Sequence, residues 1–383
     1  MKLSLVTETY PPEINGVAMT LSQLVTGMRE KGHQVQVVRP SQSAEEPYAL
    51  ADQSTVTVPG APIPRYPDLR FGIPCRNRLI YQWRRWQPDV VHIATEGPLG
   101  LSAILAAKRI LTPTTSTFHT NFHSYSEHYN AKFFTSLVLA FLRWIHNQTR
   151  CTMAPTRELA DQLGREGFRN MDVFGRGVHL TTFNPAARDE QLRQSWGAKS
   201  GDPVFIHVSR LASEKNYQLL KKCYDAIRQR HGNARFVIVG GGPLEPQLRK
   251  SFPYAVFTGP IPLENRALLA RHYASADAFL YPSTTETYGN VTTEAMACGN
   301  AVLAYDYAAA ALHIEHNKNG LLAPLGDESE FLANSLRLAG DLSLRQRLGT
   351  AAVAYAPHFD WQPAIDRFEA ILLHHIEAAK ARR

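Results

Sequence analysis

Apolar residues recur along this chain at two alternating spacings. Residues 2–7 form a short apolar run that closes on a Pro-rich turn. Val17, Leu21, Leu24, Val25 and Met28 then return every three or four residues until Gly32. A strand followed by an amphipathic helix accounts for that change of period. Further strands are predicted over 34–39, 89–94, 114–118, 151–154 and 172–174. Residues 184–203 are polar and read as a linker with a short helix. The alternation then resumes, with strands over 204–208, 235–239, 255–258, 278–281 and 301–305, each followed by a Gly or Pro turn and a helical pattern. Residues 361–383 read as one helix. Pro59, Pro62, Pro64, Pro67 and Pro74 crowd one stretch, which reads as a long irregular loop.

Strands alternating with helices imply parallel sheets covered on both faces. The expected fold class is α/β, with two Rossmann-like doubly wound domains facing across a cleft. Open sheets of this kind bind ligands beyond the carboxyl ends of their strands. Candidate chemistry is therefore sought in the residues that follow strands.

Composition narrows the picture. The 383 residues are 44% hydrophobic and 20% charged, which suits a globular protein. No apolar stretch approaches the ~20 residues of a spanning helix, and the first apolar run is too short for a signal peptide. Cys75, Cys151, Cys223 and Cys298 lie more than 70 residues apart, without metal or redox spacing. The expectation is a soluble protein of the reducing cytoplasm. Net charge is +7, and residues 1–150 hold 15 Lys and Arg against 10 Asp and Glu. Arg65, Arg70, Arg76, Arg78, Arg84 and Arg85 face only Asp68. Such a surface suits nucleic acid, anionic lipid or a small anionic substrate, or is simply solvated.

Four segments carry candidate chemistry. Glu286-Thr-Tyr-Gly289-Asn290-Val291 follows a strand and opens a helix that ends at Gly299. Amides near Gly289–Val291 at a helix amino terminus suit a diphosphate. Glu286 and Glu294, on either side, suit sugar and ribose hydroxyls, or else are a capping residue and a surface residue. Ser209-Arg210-Leu-Ala-Ser-Glu214-Lys215-Asn216 follows the strand 204–208 and brings two cations that suit a departing diphosphate, or form a solvated basic loop. In Thr7-Glu8-Thr9-Tyr10-Pro-Pro-Glu-Ile-Asn15-Gly16, Gly16 opens a helix where a phosphate can approach the backbone. Gly240-Gly241-Gly242 suits a similar approach of phosphate or base. His119 ends a strand in Phe118-His119-Thr120-Asn121-Phe122-His123. The His-x3-His spacing admits a zinc reading, but no Glu is placed as in H-E-x-x-H and the segment follows a strand. A polar role for His119 in an active site is the alternative, with His123 and His128 structural or on the surface. No Asp-x-Asp is present to hold a metal on a diphosphate, so protein cations are expected to neutralise it. No dinucleotide fingerprint, Walker sequence or nucleophile elbow is present.

Together these segments resemble the retaining glycosyltransferases of family 4, with the GT-B fold, from about residue 3 to 360. The likeness rests on Tyr10-Pro11-Pro12-x-x-Asn15-Gly16-Val17, Phe118-His119-Thr120, Gly175-Arg176-Gly177-Val178, Arg210-Leu211-x-x-Glu214-Lys215-Asn216 and the Glu286-x7-Glu294 pair. The resemblance implies that Arg210 and Lys215 bind the donor diphosphate with the Gly16 amide. It implies that Glu286 contacts the donor sugar, Glu294 holds the ribose, and His119 lies beside the anomeric carbon. Gly241, Tyr288, Gly289, Asn290 and Val291 complete the donor set, and Glu8, Tyr10, Asn15 and Asn121 are assigned to the acceptor. It further implies an acceptor domain over 1–183, a nucleotide-sugar domain over 200–360, and a final helix, 361–383, that crosses back to the first. Residues 64–71 and 141–147 look most like the branch of lipid-directed mannosyltransferases and sulfoquinovosyltransferases. The reading is a metal-independent retaining transferase, with no cofactor. GDP-mannose is favoured as donor, a UDP-hexose is second, and the acceptor is lipid-linked or a glycan. A non-catalytic nucleotide-sugar-binding protein is the rival, and nucleic acid is not expected. Three positions depart from the family pattern: His179, Asn121, and Tyr307-Ala308-Ala309-Ala310 in place of a Gly-Gly loop. They bear on the identity of donor and acceptor. The Arg65–Arg85 cluster, with Tyr81, Trp83, Trp86, Phe133, Phe134, Phe141 and Trp144, is expected to meet anionic lipid at the inner membrane face.

Overall fold

A computed structural model of the chain describes residues 1–11, 13, 16–41, 54–63, 66–119, 132–262, 265–286 and 288–381. The backbone divides into two compact units, Met1–Arg176 with Gln362–Arg383, and Gly177–Trp361.

The strands of the first unit are β1 (Lys2–Val6), β2 (Gln34–Pro40), β3 (Thr55–Val58), β4 (Gly60–Ile63), β5 (Tyr66–Gly72), β6 (Val90–Ile93), β7 (Thr114–Thr117), β8 (Thr152–Ala154) and β9 (Met171–Val173). Seven of them form one parallel sheet in the order β3-β2-β1-β6-β7-β8-β9. Burial on both faces explains why β6 reads as an unbroken Val-Val-His-Ile run rather than an alternation. The chain order reverses at β1, which lies between β2 and β6, so the residues after β1 emerge at a switch point.

The second unit contains β10 (Val204–Val208), β11 (Arg235–Val239), β12 (Val256–Gly259), β13 (Ala278–Tyr281), β14 (Ala301–Tyr305) and β15 (Leu321–Ala323). They form a parallel sheet in the order β12-β11-β10-β13-β14-β15. Successive side chains of each strand enter opposite core layers. Ile206, Phe279 and Val302 pack on one face, and Phe205, Leu280 and Leu303 on the other. Here the switch point falls at β10, between β11 and β13.

Three expectations need correction. Residues 184–203 are not a linker. Phe183, Trp196 and Ala198 are buried in the core of the second unit. Asp189 caps the helix Glu190–Ser195, and the buried Arg193 donates to the Ser275 and Asp202 carbonyls at 2.7 and 2.8 Å. The unit therefore begins at Gly177 rather than near 200, and Val178 bridges Asp360. The Pro-rich stretch is not irregular, because β4 and β5 pair as an antiparallel hairpin in which Pro62 opposes Arg70. A two-stranded ribbon leaves edges where a proline forfeits no bond. Trp83 and Trp86 belong to the core, not to an interface: they are 1% and 8% exposed, and the Trp83 indole donates to Ser4 Oγ at 3.1 Å.

The final helix, Trp361–Lys380, packs on the first unit from Gln362 onward. Phe368 lies edge-on to His92 at 5.0 Å, and Lys31 pairs with Asp366 at 2.6 Å.

Candidate active site

In the second unit, three segments converge after β10, β11 and β13. The β10 loop carries Arg210 and Lys215. Their side chains part company: Arg210 is 79% exposed and pairs with Glu214 at 2.8 Å, whereas Lys215 is buried. Gly240 at the end of β11 makes this loop path possible. A Cβ there would lie 1.9 Å from the Ser209 carbonyl oxygen, and φ is +135°. The glycine run thus meets the Ser209–Leu211 backbone, and Leu211 N–H donates to the Gly241 carbonyl at 3.0 Å. Beneath the loop, His207 Nε2 and Ser209 Oγ are 2.9 Å apart, and Ser209 Oγ and the Tyr217 hydroxyl 2.7 Å. Burial lowers His207 to about 4, so this imidazole is neutral.

Lys215 and Glu286 form an ion pair. Lys215 Nζ, the Tyr281 hydroxyl and Ser283 Oγ all donate to the same carboxylate oxygen, Oε1, the last at 2.8 Å. Lys215 Nζ also donates to the Tyr281 oxygen at 3.2 Å. Burial, with Glu286 nearby, holds the Tyr281 phenol well above its ordinary value, so it remains a donor. Gly289, at φ +93°, leads into the helix Asn290–Ala297, and Asn290 Oδ1 is enclosed without a partner. Val291 packs half-buried on the core. The Tyr288 side chain points inward and its hydroxyl meets His313 Nε2 at 2.9 Å, so any ligand contact of Tyr288 falls to its main chain. Glu294 is set apart from the Lys215 pair. It accepts from the Tyr273 hydroxyl at 3.3 Å, and burial raises its carboxyl while Arg266 opposes the rise.

In the first unit, β7 delivers His119 and β9 delivers Arg176. Arg176 Nη2 lies 3.4 Å from His119 Nδ1, which places the imidazole proton on Nε2. That Nε2 is enclosed and has no hydrogen-bond partner among the described residues. Burial, then the Arg176 charge, hold His119 well below its ordinary value. Gly16 begins the helix Gly16–Glu30, and a Cβ on it would lie 3.9 Å from Arg176 Nη1. Behind His119, His92 bonds Thr115 at 3.0 Å and Thr117 at 2.8 Å, and burial lowers it to about 3.

Glu8 caps a helix. Its carboxylate accepts the Gly72 N–H at 2.5 Å and the Leu99 N–H at 2.9 Å, at the amino end of the helix Pro98–Arg109. A Cβ on Gly97 would stand 2.1 Å from Glu8 Oε1, so glycine is required there. Burial pushes Glu8 up to about 7 against those amide bonds. An acceptor contact from Glu8 would have to compete with this cap. Tyr10 is half-buried nearby, its phenol raised by burial. Asn15, Asn121 and His123 lie outside the described residues. Among the described residues, no three His, Cys, Asp or Glu are grouped to hold a metal ion.

The sequence pointed to Lys215, Glu286, His119 and Gly16. It did not point to Tyr281 or Ser283, although both lie within five residues of Glu286. Arg176 stands in the Gly175-Arg176-Gly177-Val178 segment, whose pattern assigns it no task.

Two parallel Rossmann-like units, with a basic loop after β10 and a carboxylate after β13, define a glycosyltransferase of GT-B architecture. The Glycosyltransferase Family 4 model matches residues 14–182, and the Glycosyl transferases group 1 model matches residues 202–341. A GDP-mannose-dependent alpha-mannosyltransferase of Mycolicibacterium smegmatis is 32% identical across 100% of this chain and 99% of its own. An alpha-monoglucosyldiacylglycerol synthase of Acholeplasma laidlawii is 29% identical over 86% of each chain. The crystal structure of Anabaena HepE in complex with UDP-glucose superposes with a TM-score of 0.73 at 19% identity, covering 98% of this chain and 100% of that one. The chain belongs to glycosyltransferase family 4.

Proposed function

We propose that the chain transfers a hexosyl group, mannose from GDP-mannose, to a lipid-linked or glycan acceptor with retention at the anomeric carbon. The observation that carries this reading is Glu286: one oxygen is anchored by Lys215, Tyr281 and Ser283, and Oε2 makes no hydrogen bond to a described residue. An ionised carboxylate fixed in this way is a ready acceptor for sugar hydroxyls. The full-length likeness to a GDP-mannose-dependent relative favours that donor, and a UDP-hexose is the alternative.

In this reading the second unit holds the donor. The third N–H of Lys215, together with Arg210 swung from its exposed position, neutralises the diphosphate, and the amides at Gly289–Val291 assist. Glu294 accepts from the ribose. The first unit takes the acceptor, and the Nε2–H of His119 is offered to the transferred sugar. The bond from the anomeric carbon to the β-phosphate oxygen breaks. The acceptor oxygen bonds to that carbon on the same face, and its proton passes to the departing phosphate. Protein cations do the neutralising, so no metal is required.

The acceptor is assigned to a membrane surface on one further observation. Leu137, Phe141 and Trp144 form a stripe on the helix Lys132–His146 and are 60%, 43% and 48% exposed. An apolar stripe of this kind suits the headgroup region, and the lipid-forming relative supports it. No helix among the described residues is long and apolar enough to cross a membrane. The test is transfer of radiolabelled mannose from GDP-mannose, beside glucose from UDP-glucose, to lipid and glycan acceptors. Donor binding without transfer to any acceptor would leave only the non-catalytic reading.

A further inference from the structure

Three donors crowd one oxygen of Glu286, and two of them are neutral hydroxyls. Tyr281 ends β13 and is 5% exposed. Its ring stacks on Phe279 at 5.4 Å and lies 5.8 Å from His207, which is tied through Ser209 to the loop of Arg210. The ring is therefore fixed by packing, and its hydroxyl has no freedom to leave the pair. That hydroxyl accepts from Lys215 and donates to Glu286. Lys215 and Ser283 donate to that same oxygen from side chains that no ring packing holds. The packed ring of Tyr281 adds a third donor to the oxygen, and its position is rigid.

We propose that Tyr281 is a positioning residue: it holds Glu286 in one orientation toward the transferred sugar. The proposal rests on the functional reading above, in which Glu286 meets the sugar of the donor. The ionisable groups facing the carboxyl are Lys215, Tyr281 and Tyr307. The phenol is the member whose hydroxyl can be removed while its ring packing is kept.

Tyr281→Phe retains the ring, so the stack on Phe279 and His207 persists. Losing a hydrogen bond to a charged group predicts a roughly 10- to 100-fold fall in kcat/KM for the nucleotide sugar. The Kd for GDP alone should not change, because GDP lacks the sugar. In a Glu286→Gln background the Tyr281→Phe change should cost little more, because the carboxylate that the phenol positions is already gone. Additive losses in the double variant, or equal losses for GDP and the nucleotide sugar, would overturn the proposal. A wild-type protein that binds nucleotide sugar but never transfers it would overturn the functional reading instead.

Discussion

Glu8 offers a prediction whose size follows from its surroundings. Burial raises its carboxyl from 4.5 to about 7 in the folded chain. The folded state therefore holds a proton that the unfolded state has released throughout the window between those values. Stability is highest below the unfolded value and falls as pH rises through the folded one, at about 1.4 kcal/mol per pH unit, or about 3 kcal/mol in all. Glu8→Gln removes the titration. It also presents an N–H to the Gly72 or Leu99 amide in place of an acceptor, which costs about 1 kcal/mol. The two stability curves should therefore cross. The variant is weaker by about 1 kcal/mol near pH 3, level with the wild type near pH 5, and stronger by about 2 kcal/mol near pH 8, the difference between those two terms. Urea unfolding read by tryptophan fluorescence is suited to this, because Trp83 and Trp86 lie in the same unit as Glu8. Parallel curves across pH 5–8 would refute the buried, proton-holding cap.

Other outcomes follow from the same geometry. Lys215→Ala should lower turnover by roughly 100- to 1000-fold, as for loss of a group that stabilises a departing charge; near-normal steady-state rates would place the diphosphate elsewhere. Glu294→Gln should raise donor KM with little change in kcat, and Glu286→Gln should chiefly lower kcat, so initial-rate kinetics showing the reverse would exchange their roles. Replacing Leu137, Phe141 and Trp144 together by Ser should reduce co-sedimentation with phosphatidylglycerol vesicles by at least 10-fold; equal binding by both proteins would point to a soluble acceptor.

Much of the fold was readable because parallel strands are buried on both faces and announce themselves as apolar runs. The strand 204–208 and the helix beginning near Asn290 sit where the pattern put them. What escaped was structure held by few anchors. In residues 184–203, Trp196 and Ala198 supply the burial while the polar residues around them dominate the composition. The hairpin β4–β5 hid behind its prolines, because loop-like composition says nothing about pairing across a ribbon. At the site, charge and position exposed Lys215 and Glu286 after their strands. Tyr281 looked like one more core aromatic, since nothing in a sequence shows that a strand-end phenol reaches a carboxylate five residues away. Glu8 looked like a ligand contact for a related reason. Its partners are backbone amides of Gly72 and Leu99, distant in sequence and silent in any side-chain pattern.

The proposed reaction is retaining hexosyl transfer driven by protein cations. Its most direct test is proton NMR of the first product formed from GDP-mannose and a lipid-linked acceptor, in the presence of EDTA. An α-linked mannose is expected, formed at the same rate with and without the chelator. A β-linked product, or activity abolished by EDTA and restored by a divalent ion, would contradict it.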